Sequence, residues 1–330
     1  MTAVPVVLDC DPGHDDALAL VLAAGSPRLR LLAISTVFGN QEVSKTTLNA
    51  RLICSIAGIS GVPIAAGSAG PIAGATHNSI RPNRIAHAVH GSTGLDGVNL
   101  GAPVVPVDES DAVSLLHRII RDHPEPVTII ATGPLTNIAR LIHDHPTAIS
   151  NIKEIVCMGG STDRGNVTPY GEFNIVADPE AASMVLDSPV PVTFCGLNAT
   201  HQVLVSTDRV ASMRKIGTPL ANVCADLITF FAQTYNDVFN MSEPPLHDPV
   251  AVARVLDASI VECVKTPVAV ELHGTHTRGA TVIDLHRVTG SEANALVAVH
   301  VDIESFWTVM LDAIRVLPGA VNGDPAADAR

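Results

Sequence analysis

Val4-Pro5-Val6-Val7-Leu8-Asp9-Cys10-Asp11-Pro12-Gly13-His14-Asp15-Asp16-Ala17-Leu18-Ala19-Leu20-Val21-Leu22-Ala23-Ala24-Gly25 carries the pattern on which the fold turns. Val4 to Leu8 is a continuous apolar run, as a strand buried on both faces of a parallel sheet requires. Asp15 to Ala24 reads as a helix, with acids in its first turn, Gly25 as a stop and Pro27 just beyond. A buried strand that feeds straight into a helix is the first half of a β-α-β unit.

Outward from there the alternation continues. Strands are predicted at Leu31 to Val37, Pro63 to Ala66, Val127 to Ala131, Glu154 to Met158 and Val192 to Cys195. Helices are predicted at Val43 to Ala57, Asp111 to Asp122, Leu135 to His143 and Pro179 to Leu186. Thr207 to Phe239 is mostly helical, Val268 to Leu272, Thr281 to Asp284 and Leu296 to Val301 read as strands, and Glu304 to Val316 closes as a helix. Such units imply an α/β fold, an open, mostly parallel sheet flanked by helices, with a helical segment and extra C-terminal strands. No linker or repeat interrupts residues 1–330, which read as one domain with a frayed tail over 319–330. Gly67 to Gly101 is the longest stretch without periodicity, and such stretches are usually functional.

The composition narrows the function. Asp and Glu number 33 against 20 Lys and Arg, a net charge of −13, with 47% apolar and 16% charged residues. The chain is too apolar to be disordered. Its acidity argues against nucleic acid or an anionic membrane as partner. Ala17 to Gly25 is far shorter than the roughly 20 residues of a membrane span, and the first residues have no signal-peptide pattern. Six scattered cysteines, without CxxC or zinc spacing, fit buried thiols in a reducing, cytoplasmic setting. Aromatics at 3% argue against base-stacking platforms.

The acid is unevenly placed. Asp9, Asp11, Asp15 and Asp16 precede the first basic residue, Arg28. They lie at the carboxyl end of the first strand, where parallel α/β sheets bind ligands. Asp9 and Asp11 have the spacing that puts both on one side of an extended chain, Pro12-Gly13 turns, and Asp15 and Asp16 can point back. Converging carboxylates without a base make a hard-cation site for Ca²⁺ or Mg²⁺. Helix capping accounts for one of Asp15 and Asp16, or both, but not for Asp9 and Asp11. An EF-hand loop fits poorly, with His14 and Leu20 at the positions of its Gly and Glu. A second acid, Asp248 in His247-Asp248-Pro249, is either a helix cap or a partner of the first cluster. Phe38-Gly39-Asn40, Ala131-Thr132-Gly133-Pro134-Leu135-Thr136-Asn137 and Asn166 to Asn174 add polar groups at strand ends, or are ordinary turns.

Together these segments resemble the inosine-uridine preferring nucleoside hydrolase family. Asp9-Cys10-Asp11-Pro12-Gly13-His14-Asp15-Asp16 is similar to its DxDPGxDD signature. Thr36 to Asn40, Ala131 to Asn137, Met158-Gly159-Gly160, Glu172-Phe173-Asn174, Asp178 to Ala182 and His247-Asp248-Pro249 follow in the family's order over essentially the whole chain. The resemblance implies a Rossmann-like fold and a Ca²⁺ held by Asp11, Asp16, Asp248 and the backbone carbonyl of Thr132. It implies that Asp15, Asn166, Glu172 and Asn174 hold the ribose hydroxyls, with Met158 and Phe173 also against the substrate. Asn40 would lie close to the metal and its water, Asp9 would support from behind, and His90 would stand on the base side. A ribonucleoside substrate and a homodimer or homotetramer are further implications. The chain departs from the pattern in having Gly91-Ser92 after His90, and Phe231 and Tyr235 where purine-handling members carry two tyrosines. Tyr235 could stack on or hydrogen-bond the base, whereas Phe231 can only pack, and base preference stays open.

The residue types suit the chemistry. N-glycosidic cleavage passes through a ribosyl cation, which carboxylates stabilise. Asp11 is placed to accept a proton from water as general base, and His247, or the packing it provides, serves the departing base. A DxD phosphatase with Mg²⁺ would want Thr or Val at position 13 and a lysine for phosphate, and Gly13 fails the first. Phosphorolysis needs cationic contacts that these acids would oppose. A binding protein without catalysis is disfavoured because Asp11 and Asp248 are both intact.

Overall fold

The computed structural model describes residues 2–74, 83–317 and 319. Apart from Gly319, the expected tail therefore lies outside the described residues. The strands are β1 (Val4–Cys10), β2 (Leu29–Thr36), β3 (Ile64–Ala66), β4 (Val127–Ala131), β5 (Ile152–Met158), β6 (Val192–Cys195), β7 (Val261–Thr266), β8 (Val268–Val270), β9 (Thr281–Ile283) and β10 (Ala295–Val301). Among the described residues, eight strands form one sheet in the order β3-β2-β1-β4-β5-β6-β10-β7. Every pairing in it is parallel except β10 with β7. Strands β8 and β9 form a separate antiparallel pair.

Helices cover both faces. One face carries α1 (His14–Gly25) and α2 (Val43–Ala57). The other carries α4 (Ala112–Asp122), α5 (Thr136–Asp144) and α7 (Pro179–Leu186), after α3 (Asn83–His90) and with the short α6 (Phe173–Ala177). The chain then adds α8 (Leu197–Thr200), α9 (Thr207–Arg214), α10 (Pro219–Phe239), α11 (Asp248–Leu256) and α12 (Ile303–Val316), whose apolar sides join the first face. Along β1, Val6, Leu8 and Cys10 pack into the first core and Val7 into the second. This alternation explains the unbroken apolar run: neither face of the strand meets water. Helix α1 is buried from His14 to Ala23, which accounts for its apolar residues all round.

The strand order 3-2-1-4-5-6 reverses direction between β1 and β4. Connections leaving these two strands run to opposite faces and open a crevice at their carboxyl ends. Asp11 follows β1 and Thr132 follows β4, so the reversal sets these two side by side.

Three elements differ from expectation. Strand β1 runs on through Asp9 and Cys10, because Cys10 still packs and still pairs with Thr36. The stretch 67–101, read as irregular, contains α3. Strand β7 was not expected. Among the described residues it pairs only with β10, and Glu262, Val264 and Lys265 are exposed, so no apolar run marks it.

Candidate active site

At the crevice the chain turns back on its own carboxylates. Asp16, on the first turn of α1, accepts the Gly13 N–H at 3.1 Å through Oδ2 and the Asp11 N–H at 3.3 Å through Oδ1. Capping therefore explains part of Asp16. It also takes Asn40 Nδ2 at 3.1 Å and the Thr132 hydroxyl at 2.7 Å, from the ends of β2 and β4. Asp248 opens α11 as its first helical residue. Its carboxylate lies with those of Asp15 and Asp16, one oxygen from each falling within 4.8 Å of the others. Asp11 stands beside this trio. Its Oδ2 accepts the Asn40 N–H at 2.7 Å, while Oδ1 is buried with no protein partner. Gly39 and Gly133 press on it from two sides: a Cβ there would come within 2.0 Å of Oδ2 and 2.6 Å of Oδ1. Only glycine lets the two loops close on the carboxylate.

Burial drives the carboxyls of Asp11, Asp15, Asp16 and Asp248 above their ordinary range, and their mutual repulsion adds to the shift in Asp11, Asp15 and Asp248. Among the described residues no lysine or arginine lines the pocket above them. Asp9 is turned away: it accepts from Ser35 Oγ at 2.5 Å and Asn137 Nδ2 at 2.8 Å, behind the crevice. Its backbone carbonyl takes the Thr132 N–H at 2.8 Å.

Above the carboxylates lies a recess enclosing about 540 Å³, mouth included, a size suited to a small molecule. One wall comes from the segment after β5. Glu172 accepts three backbone N–H groups, from Gly160 at 2.9 Å, Asn174 at 2.8 Å and Ile175 at 3.2 Å. Burial still raises its carboxyl to about 7. Asn174 Nδ2 donates to the carbonyls of Thr132 at 2.8 Å and Met158 at 3.1 Å. The Thr132 carbonyl keeps a second lone pair. Asn166 Oδ1 accepts the Phe173 N–H at 2.9 Å, fixing the turn that carries it.

The opposite wall is apolar and imidazole-rich. Phe231, Tyr235 and Phe239 succeed one another every four residues along α10, so one helix face supplies all three. Tyr235 Oη is 3.1 Å from His247 Nε2, and Thr200 Oγ1 is 2.8 Å from His247 Nδ1. Burial pushes the His247 imidazole down to about 3, below the near-neutral value of a free ring. Helix α3 contributes Ala86, Val89 and His90.

The structure thus brings Asp15, Asn40, His90, Thr132, Met158, Asn166, Glu172, Phe173, Asn174, Tyr235, His247 and Asp248 to one pocket. Asp11 and Asp16 lie directly beneath, hydrogen-bonded to Asn40. Ala86, Val89, Val167 and Phe239 were not anticipated. The every-fourth-residue aromatics from Phe231 could have revealed Phe239; the other three carry no signal beyond their apolar type.

An acid-floored pocket at the switch point of an α/β sheet lies where such sheets bind small ligands. The model of the inosine-uridine preferring nucleoside hydrolase family matches residues 6–308, and the chain belongs to that family. It is 40% identical over 314 residues to the pyrimidine-specific ribonucleoside hydrolase RihA of Salmonella arizonae, covering 95% of this chain and 99% of that protein. To the protein of the same name from Shewanella woodyi it is 42% identical over 312 residues, covering 94% and 98%. A purine-preferring ribonucleoside hydrolase from Gardnerella vaginalis has the same fold, with a TM-score of 0.87 at 30% identity over 95% of this chain and 99% of that one. Among the described residues no helix is long and apolar enough to cross a membrane.

Proposed function

We propose that the protein hydrolyses the N-glycosidic bond of ribonucleosides, adding water at the anomeric carbon and releasing free base and ribose. The observation that carries this reading is the group of buried carboxylates, Asp11, Asp15, Asp16 and Asp248, converging under a nucleoside-sized recess whose described lining holds no lysine or arginine. Such a donor set fits a divalent cation, Ca²⁺ by its all-oxygen character. The partnerless Asp11 Oδ1 supports the fit, since a buried carboxylate oxygen left unpaired is costly. Asp11, Asp16, Asp248 and the Thr132 carbonyl are the ligands we assign. The closeness of Asp15 to Asp16 and Asp248 gives it a place at the edge of that set. A cation there supplies Lewis acidity that makes a nearby water easier to deprotonate.

The chain's own groups do the rest. Asp11, fixed by Asn40 and the two glycines, accepts the proton of the attacking water. Asn40 orients that carboxylate through its N–H. Asp15, Asn166, Glu172 and Asn174 grip the ribose hydroxyls and oppose the positive charge that develops on the sugar. Phe173 and Met158 border the sugar. His247, held neutral by burial, serves the departing base by hydrogen bonding through Tyr235. The relatives named pyrimidine-specific make uridine and cytidine the first substrates to test.

The assay is release of ribose and free base from a nucleoside panel, without phosphate and with Ca²⁺ present. Release that required phosphate would replace hydrolysis by phosphorolysis. Metal analysis of gently purified protein should find about one Ca²⁺ per chain, and zinc or no metal would count against the assigned ligands. A homodimer or homotetramer is the assembly we expect from light scattering.

A further inference from the structure

His14 sits inside the acidic signature, yet the hydrolytic reading gives it no task. It is fully buried, and both of its ring nitrogens are committed. Nε2 is 2.9 Å from the Asp96 carbonyl oxygen, which can only accept, so Nε2 carries the proton. Its Nδ1 then has only a lone pair, so the Nδ1 of His90, 3.1 Å away, carries a proton and donates to it. The two rings stack 5.3 Å apart at 19°, and Phe231 stacks on His90 at 5.4 Å. Gly13 makes room for this approach: a Cβ there would fall 2.7 Å from His90 Nδ1.

The far end of the chain of contacts is also built. The Asp96 carboxylate accepts the N–H groups of Ser92 at 2.8 Å and Thr93 at 3.0 Å and the Thr93 hydroxyl at 2.5 Å, closing the turn after α3. Side chains at the start of α2 hold the outside of that turn. Gln41 Nε2 donates to the Gly91 carbonyl at 2.9 Å, Lys45 Nζ to that of Ser92 at 3.0 Å and Asn49 Nδ2 to that of Thr93 at 2.9 Å. The turn therefore delivers the Asp96 carbonyl to His14 from a fixed position.

We propose that His14 is a positioning residue for His90: by accepting from His90 Nδ1–H it leaves Nε2 as the lone pair turned to the base of the substrate, where it accepts from an N–H of that base. The inference rests on the ribonucleoside reading above and adds a line of command: Asp96 fixes His14, and His14 fixes His90. Burying an imidazole costs free energy unless its nitrogens are paired. A helix start needs no histidine for its own sake, so the pairing with His90 is what this residue contributes. Uracil offers its ring N–H and cytosine its amino group to such an acceptor, whereas a nitrophenyl group has no N–H to offer.

The test compares uridine, cytidine and a nitrophenyl riboside as substrates for the Ca²⁺-loaded full chain. His14→Phe keeps the stacked ring and removes both hydrogen bonds. It should raise KM for the nucleosides by about fivefold to tenfold, the worth of about one hydrogen bond, with kcat changed less than KM. Turnover of the nitrophenyl riboside should stay within about threefold of wild type, since no step there uses His90. His90→Phe should show the same pattern, and the double variant should fall no further than His90→Phe alone, because residues acting as one unit are not additive. Asp96→Ala, at a partly exposed position, should reproduce the pattern in weaker form, and it decides the matter if His14→Phe does not fold. Equal losses on both classes of substrate would mean that the acidic loop itself was disturbed, and would overturn the proposal. An unchanged KM for the nucleosides, or additive losses in the double variant, would overturn it too. A wild-type protein that releases ribose from none of the three substrates would instead refute the functional reading, and with it any role for His90.

Discussion

The floor and the roof of the pocket are built on different principles. The floor is assembled from strand ends: Asp11 after β1, Asn40 after β2, Thr132 after β4 and Met158 at the end of β5. Parallel pairing fixes the spacing of these groups before any side chain is chosen, as Asp9 opposite Ser35 and Ala131 illustrates. The roof comes from α3, the turn after it and α10, held by side-chain packing and side-chain hydrogen bonds such as Thr234 Oγ1 to the Val89 carbonyl at 2.6 Å, with no strand pairing. Helices α3 and α10 meet where His90 stacks on Phe231 at 5.4 Å, and His14 of α1 stacks on Phe230 of α10 at 5.3 Å. A floor set by backbone hydrogen bonds can hold a charge constellation that tolerates little error. A roof set by side-chain contacts can change shape residue by residue, which suits it to choosing among bases.

The largest effect should come from the floor. Asp11→Asn should lower kcat by about a thousandfold or more, with circular dichroism and melting temperature close to wild type, since the substitution is isosteric. Near-normal turnover would remove Asp11 as base and would make the floor merely structural. Chelation of Ca²⁺ should come next. Loss of a cation present at about a hundred times its Kd removes about 3 kcal/mol of stability, read as a fall of several degrees in melting temperature together with loss of turnover. Both should return on adding Ca²⁺. Chelation that left melting unchanged would show that the buried carboxylates do not depend on a cation.

Glu172→Gln should act more moderately. It presents an amide where three N–H groups now donate, so about 1–2 kcal/mol of stability should be lost from the start of α6. KM for ribonucleosides should rise, and 2′-deoxynucleosides, already poor, should be little affected further. The smallest effect should belong to the roof. Tyr235→Phe removes one hydrogen bond to His247, about 1 kcal/mol, and should change the ratio of kcat/KM between uridine and inosine more than it changes either melting or metal content. A change in metal content would mean that roof and floor are not separable.

The same division governs how much could be read in advance. The acids, Asn40, the Thr132 loop and the Glu172 to Asn174 segment were legible because each sits at the end of a patterned strand or the start of a patterned helix. Local periodicity places such residues. Asp248 was visible as an acid before a proline, but capping and metal binding look alike along the chain. Only the fold, bringing α11 against α1, sets its carboxylate beside Asp15 and Asp16. Helix α3 could not be foreseen, since Asn83–His90 offers only about two amphipathic turns amid a long irregular stretch. Strand β7 stayed hidden because an antiparallel edge strand with exposed Glu262 and Lys265 has no apolar run.

By itself, the sequence determined the class: a parallel α/β sheet with a carboxylate site at the end of its first strand. It did so because strand burial and helix starts are written in neighbouring residues. The tertiary structure decided which acids share one space, that Asp9 faces away, and that His14 reaches across from the acidic loop to His90. Those are contacts between residues separated by dozens or hundreds of positions, and their distances follow from the order of strands in the sheet and the packing of helices on it.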